Sequence, residues 1–272
     1  MDKERLIKLA DVPKFISDIY NYCDRWCERC QFTSRCLNFV IGEELYGSPK
    51  DHDLNNAIFW KKINKMFQIT RELLNEMVER EGIDLNAIDY DEFNQREKIR
   101  EETVYGELSR TIENHDCAVD AKAYIELVND WFESSIALFE KRAEELELKA
   151  RLELPNDNPI KEANLIKDAV EIIRWYQHQI YVKMVRAIHG QTDGEEESLE
   201  DFPKDSDGSA KVALIGIDRS ISAWSILYSE FPEHENEILN VLLRLDQLRK
   251  KIEKAFPSAR AFVRPGFDEI DN

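Results

Sequence analysis

Apolar residues recur along this chain with a period near 3.6, and no stretch alternates apolar and polar residues as a half-buried strand would. The pattern predicts helices throughout. Asp11 can cap a first helix that has Pro13 in its opening turn and runs to about Cys30. A short helix capped by Thr33 or Ser34 follows through Leu37, Phe39 and Val40, until Gly47-Ser48-Pro49 breaks the chain. The next helix covers about 53–81, with Phe59, Ile63, Met66, Phe67, Leu73, Leu74 and Met77 on one face, and Gly82 ends it. Further helices are expected over about 93–112 and 117–151, the latter burying Tyr124, Val128, Trp131, Phe132 and Phe139. "LPNDNP" (154–159) stops the chain before helices over about 160–189, 210–229 and 234–256. The tail carries Phe262, Val263 and Phe267, and is expected to fold back onto the body.

These elements imply an all-α protein: one domain over 1–272, an up-and-down bundle of six or seven helices. Residues 191–209 hold eight acidic residues and one lysine, too little apolar surface to offset their ordering entropy, and read as a flexible acidic loop. Residues 257–272 read as an irregular tail packed on the bundle.

Composition agrees with long helices: 34% of residues are charged, with only 9 glycines and 8 prolines. The net charge of −18 disfavours a protein that wraps nucleic acid or sits on an anionic membrane. The charge is uneven, since residues 1–71 carry twelve Lys/Arg against ten Asp/Glu, leaving −20 to the rest. No run reaches the roughly 18 apolar residues of a membrane span. "MDKERLIKLADVPKF" has no apolar run with a small-residue cleavage site, so the expected location is the cytoplasm, where thiols stay reduced.

That expectation gives weight to "YCDRWCERCQFTSRC", which sets Cys23, Cys27, Cys30 and Cys36 in a C-x3-C-x2-C-x5-C spacing. On a continuous helix the first three thiols share a stripe within about 60°, and the fourth returns from a short break. Four such thiols make a ligand cage within a helix pair spanning 11–47. Core packing as small hydrophobes would account for three of them and leave the fourth unexplained. On that helix, Cys23 and Cys30 would stand about 10.5 Å apart along the axis. One tetrahedral zinc needs sulfurs within roughly 4 Å of each other, so the span favours a [4Fe–4S] cluster over Zn2+. For zinc to fit, the helix must unravel near Cys27. Cys117, beside His115 and Asp116, reads as a structural thiol.

"CERCQFTSRC" also resembles the C-x2-C-x5-C segment, with its aromatic residue after the second Cys, that closes the [4Fe–4S] cluster of CRISPR-associated and helicase-associated iron–sulfur nucleases. The likeness covers about ten residues. In those nucleases the fourth cysteine lies far upstream, whereas here it is Cys23, and no strand-borne nuclease motif is present. The resemblance implies a cluster type and no nuclease activity. C-x3-C-x2-C is also the spacing of radical-SAM enzymes, whose β/α strands this sequence lacks.

A second constellation lies on the 160–189 helix. Glu171 and His178 fall on a stripe with Trp175, Val182, Val185 and His189, opposite a main apolar stripe. Both would be partly buried if the helix is central, as a polar network or as ligands of a bundle-core metal. Arg219, on an otherwise apolar face, would pair with Glu171, Asp218 or another acid, or reach outward to water.

The expected function is that of a metal-binding helical protein, its four-cysteine centre serving electron transfer or partner recognition and offering no deep substrate pocket. The alternative is a metal-dependent oxidoreductase with further carboxylates converging on His178. A weaker one is nucleic-acid contact through Arg29, Arg35, Lys61, Lys62 and Lys65. The implied partner is a protein or redox partner, with no membrane.

Overall fold

The computed structural model describes residues 2–47, 56–84, 89–100, 106–152, 158–192 and 204–269, and among them every regular element is helical. These residues form two compact units. The first comprises 1–106 with 264–272, the second 107–263.

The first unit contains α1 (Lys3–Ala10), α2 (Leu37–Tyr46), α3 (Ala57–Arg80) and α4 (Tyr90–Arg100). Asp2 caps α1 by accepting the Arg5 amide at 2.9 Å. Arg5 Nη2 then holds Glu44 on α2 at 2.7 Å, and Lys3 pairs with Glu76 on α3. Asn56 caps α3 at the Ile58 amide, and Gly82 takes up the chain beyond it at φ +68°. The apolar core is thin, with Leu9, Ile19, Leu45 and Ile69 as the buried hydrophobic residues described.

The helix expected over 11–30 does not form. Asp11 is the C-cap of α1, its amide bonding back to Ile7 and Leu9, and not the N-cap of a following helix. Beyond it the short polar side chains compete with the backbone ladder. Asn21 Nδ2 donates to Asp18 Oδ1 at 3.1 Å, and the Trp26 amide donates to Asp24 Oδ1 at 3.2 Å. Asp18 and Arg25 adopt the left-handed region, at φ 57° and 60°, which no α-helix accommodates. Two single 3-10 turns, Cys27–Arg29 and Thr33–Arg35, take the helix's place, and the Ile16 amide is tied to the Arg35 carbonyl at 3.0 Å.

The second unit holds α5 (Gly106–Asn114), α6 (Asp116–Ser134), α7 (Ile136–Leu152), α8 (Pro159–Thr192), α9 (Asp205–Glu230) and α10 (Glu235–Ala255). Pairings fix its topology. Arg186 meets Asp205 at 2.6 Å while Tyr176 meets Gly216, so α8 and α9 are antiparallel. Arg249 lies 3.6 Å from Asp218 and Tyr228 donates to Glu235, which sets α10 against α9. Lys251 reaches Asp120 at 2.5 Å near one end, and Trp131 meets the His234 ring near the other, closing α10 onto α6. Arg174 on α8 bonds Asn129 on α6 at 3.0 Å. A four-helix up-and-down ring results, α6–α8–α9–α10, with α7 laid along the N-terminal half of α8 through Arg142–Glu162 and Lys149–Glu162.

The helix expected over 117–151 is thus two, broken at the fully buried Ser135. Among the described residues there are ten α-helices rather than six or seven: α1 precedes Asp11, 117–151 holds two helices, and the expected 93–112 falls on α4 and α5, with residues 101–105 outside the described residues. The expected acidic loop shrinks at both ends, since α8 continues to Thr192 and α9 begins at Asp205. Residues 193–203 lie outside the described residues.

The α8–α9 contact is the most extensive in the molecule, and α9 explains it. Ser209, Ala213, Gly216, Ser220 and Ala223 form a buried stripe of small residues at helical spacing, which lets the two backbones come close. A Cβ at Gly216 would stand 2.9 Å from Tyr176 Cδ1 and 3.1 Å from Ile180 Cγ1, both on fully buried side chains. Nearby, Trp224 Nε1 donates to Tyr124 Oη at 3.1 Å, and burial pushes the Tyr124 phenol up to about 12.

We expect Gly216→Val to lower the stability of this unit by about 2 kcal/mol or more through overpacking. Gly42→Ala, inside α2 with nothing within 4 Å of the new Cβ, should raise stability by about 0.5–1 kcal/mol. Urea unfolding of both variants checks the pair. An unchanged midpoint for Gly216→Val would mean that α8 is free to move away.

Candidate metal centre

The unwound segment between α1 and α2 brings Cys23, Cys27, Cys30 and Cys36 to the walls of one small cavity of ≈20 Å³. Cys27 opens the first 3-10 turn, closed by the Cys30 amide on the Cys27 carbonyl at 3.1 Å. The second turn delivers Cys36, whose carbonyl accepts the Val40 amide as α2 begins. None of the four is in a disulfide and all are half-buried, with the Cys23 thiol donating to the Tyr20 carbonyl at 3.5 Å. The Phe32 amide points at Cys30 Sγ at 3.4 Å, the kind of N–H···S contact that stabilises a thiolate ligand.

The sulfurs feel one another. Burial comes first in pushing the Cys27 thiol above its ordinary value, followed by the negative charge of Cys23, Cys30 and Cys36. Among the described residues, however, no group of three or more His, Cys, Asp or Glu side chains converges closely enough to hold one metal ion. The four sulfurs surround a common space without closing on a point. The axial separation of about 10.5 Å expected for Cys23 and Cys30 depended on a continuous helix, and with the helix gone that argument against zinc no longer applies.

Aromatic and tail residues complete the walls. Ile19, Tyr20, Trp26, Phe32, Phe39 and Phe267 line the cavity with the cysteines, and the Arg29 guanidinium stacks on Trp26 at 4.2 Å. Phe267 comes from the C-terminal tail and meets Phe32 edge-on at 4.9 Å. Gly266 makes this docking possible: it sits at φ +73°, and a Cβ there would lie 2.7 Å from Ile16 Cδ1. Arg264 braces the turn with two bonds to Asp268, at 2.9 and 3.0 Å, and lies over the Phe267 ring. The sequence indicated a returning tail but not its destination. "RPGF" held the only signal, a glycine between a proline and an aromatic. Of the three apolar tail residues, Phe262 is buried and Phe267 half-buried, but Val263 is 58% exposed.

The second constellation is spread along the surface of the other unit. His178 is exposed and its ring nitrogen meets Gln177 Nε2 at 3.2 Å. Glu171 is 42% exposed and lies 3.8 Å from Lys167. Arg219 is exposed, donating to the Tyr176 hydroxyl and lying over its ring, while Asp218 receives Arg260 at 2.6 Å. The structure does not bring Glu171 and His178 together around an ion. Glu171 instead edges an apolar groove of ≈500 Å³ between α7 and α8, lined by Leu146, Ala150, Ile160 and Ile166 among others. Arg29, Arg35, Lys61 and Lys65 are exposed and Lys62 half-buried. Cys117 is buried at the start of α6, its thiol pushed up to about 11 by burial.

Known protein families, curated proteins and solved structures offer no match to this chain. No helix among the described residues is long and apolar enough to cross a membrane. The functional argument therefore rests on the cavity itself.

The direction of the Cys27 shift fixes a pH dependence for metal-free protein. A thiol whose folded pKa exceeds its unfolded one contributes full stability below the unfolded value and loses it as pH rises through the folded value. The thermal stability of the metal-free chain should therefore fall as pH climbs past the ordinary thiol range, near 9. Cys27→Ser should flatten that decline, and an identical slope in the variant would remove the crowding argument.

Proposed function

We propose that Cys23, Cys27, Cys30 and Cys36 hold a [4Fe–4S] cluster that pins the N-terminal loop, α2 and the C-terminal tail together, and that the centre serves electron transfer or recognition of a protein partner. The observation that carries this reading is the shared cavity: four cysteines outside any disulfide line it, and burial first, then the charge of the other three, pushes the Cys27 thiol above its ordinary value. Crowded thiolates repel, and a cationic core turns that repulsion into attraction. Four thiolates suit either an iron–sulfur cluster or zinc. The C-x2-C-x5-C segment with its aromatic residue after the second Cys, which resembles the cluster-closing segment of iron–sulfur nucleases, is what favours the cluster.

Each neighbouring residue has a part in such a centre. The Phe32 amide hydrogen-bonds a ligand sulfur, which in clusters of this kind tunes the reduction potential. Trp26, Phe32, Phe39 and Phe267 keep water away from the core. When bound, a cluster supplies a one-electron couple. All four cysteine positions would be ligated, leaving no open site for substrate, so the reading favours transfer or recognition over catalysis at the centre.

Anaerobic purification followed by metal analysis and an absorption spectrum tests the proposal. We expect brown protein with about four irons per chain. Serine at any one of the four positions should lower the iron content sharply, while Cys117→Ser should leave it unchanged. Colourless protein carrying about one zinc would assign the centre a purely structural role, and metal-free protein with four titratable thiols would sink the reading.

A further inference from the structure

The turns that replace the expected helix leave two of the four cysteines in a particular relation. The Arg29 amide bonds the Trp26 carbonyl and the Cys30 amide bonds the Cys27 carbonyl, both at 3.1 Å, so Cys27 to Cys30 is one 3-10 turn. In such a turn side chains three residues apart eclipse, and a rise of about 2.0 Å per residue puts their Cα atoms about 6 Å apart. A disulfide joins Cα atoms about 4.4–6.8 Å apart. The turn therefore sets these two thiols on one side of the backbone, within reach of a sulfur–sulfur bond.

The other two cysteines are held differently. The Cys23 thiol donates to the Tyr20 carbonyl at 3.5 Å. Between it and Cys27 the chain passes through Arg25 in the left-handed region, so no regular turn relates the pair. Cys36 closes a separate 3-10 turn that begins at Thr33, and then opens α2. Cys27 and Cys30 are half-buried in the wall of a cavity of ≈20 Å³, room for a molecule little larger than water.

We propose that Cys27 and Cys30 form a dithiol pair that hydrogen peroxide oxidises to a disulfide when the cavity holds no metal. The two thiols give up two electrons and two protons. The S–S bond forms as the O–O bond of the peroxide breaks, and two waters leave. A thiol reductant reverses the step. The pairing rests on the turn and not on what the cavity holds. Its consequence rests on the proposed function: a disulfide withdraws two of four ligand sulfurs, so the oxidised chain cannot load the centre until it is reduced.

Trypsin separates the four cysteines, because Arg25, Arg29 and Arg35 lie between them, and each pairing gives its own joined peptides. The test uses the full chain, stripped of metal by a chelator under reductant, treated with hydrogen peroxide, alkylated and mapped by mass spectrometry. Peptide 26–29 should be joined to peptide 30–35, in excess over every other pairing. In urea the turn is lost, and that excess should fall by about tenfold, since Cys23–Cys27, Cys27–Cys30 and Cys30–Cys36 close loops of comparable length. Cys36→Ser should leave the link intact and Cys27→Ser should abolish it. A dominant link from Cys27 to Cys23 or Cys36 overturns the proposal, as do equal selectivity in urea and thiols that stay reduced under peroxide. Iron and sulfide offered to both forms read the consequence separately. The reduced chain should take up about four irons and the oxidised chain about a tenth of that or less. Equal loading of the two forms overturns the consequence, whereas a reduced chain that takes up no iron sinks the cluster and leaves the disulfide standing.

Discussion

Four cysteines line one small cavity of the first unit, and burial together with the charge of three of them pushes the fourth thiol, that of Cys27, above its ordinary value. Little else lies at the centre of this unit. Its described core amounts to Leu9, Ile19, Leu45 and Ile69, with surface ion pairs such as Arg5–Glu44 linking the helices around them. Exposed ion pairs of this kind contribute little, because water screens them. Small bodies with thin cores are commonly stapled by a metal or a disulfide, and the proposed centre would be the former. The proposed centre therefore has a structural part whatever its redox part.

The second unit needs no such help. Its four-helix ring buries large residues on every helix: Tyr124 on α6, Tyr176 and Met184 on α8, Trp224 on α9 and Leu245 on α10. The small-residue stripe on α9 brings α8 close enough for these side chains to interlock. One chain thus combines a body held by hydrocarbon with a thinner one in which four cysteines line a small cavity.

The long helices were legible because amphipathic period and stop signals agree in them. α8 and α10 fall close to the expected 160–189 and 234–256, α9 starts at Asp205 rather than near 210, and Ile238, Leu245, Leu248 and Ile252 are buried with Leu242 half-buried. The failure at 11–30 has a definite cause. Phe15, Ile16, Ile19, Cys23, Cys27 and Cys30 keep a helical rhythm, but rhythm records only which residues face inward. Asp18, Asn21 and Asp24 lie between them and bond to local groups, bending the chain into turns that still point the same residues inward. The four cysteines thus line one cavity although the helix expected to carry three of them does not form. Glu171 and His178 failed differently: two apolar stripes suggested a helix surrounded on all sides, whereas one face of α8 meets water.

Phe267 gives the cavity a wall that is made last. During synthesis the four cysteines emerge from the ribosome early, and nearly all of the second unit must follow before Gly266 and Phe267 exist to close against Ile16 and Phe32. Until then the thiols sit in an open-sided cup. A chain cut short anywhere before its tail would therefore leave the four thiols with one side unsealed, and loading of the proposed centre would follow translation rather than accompany it.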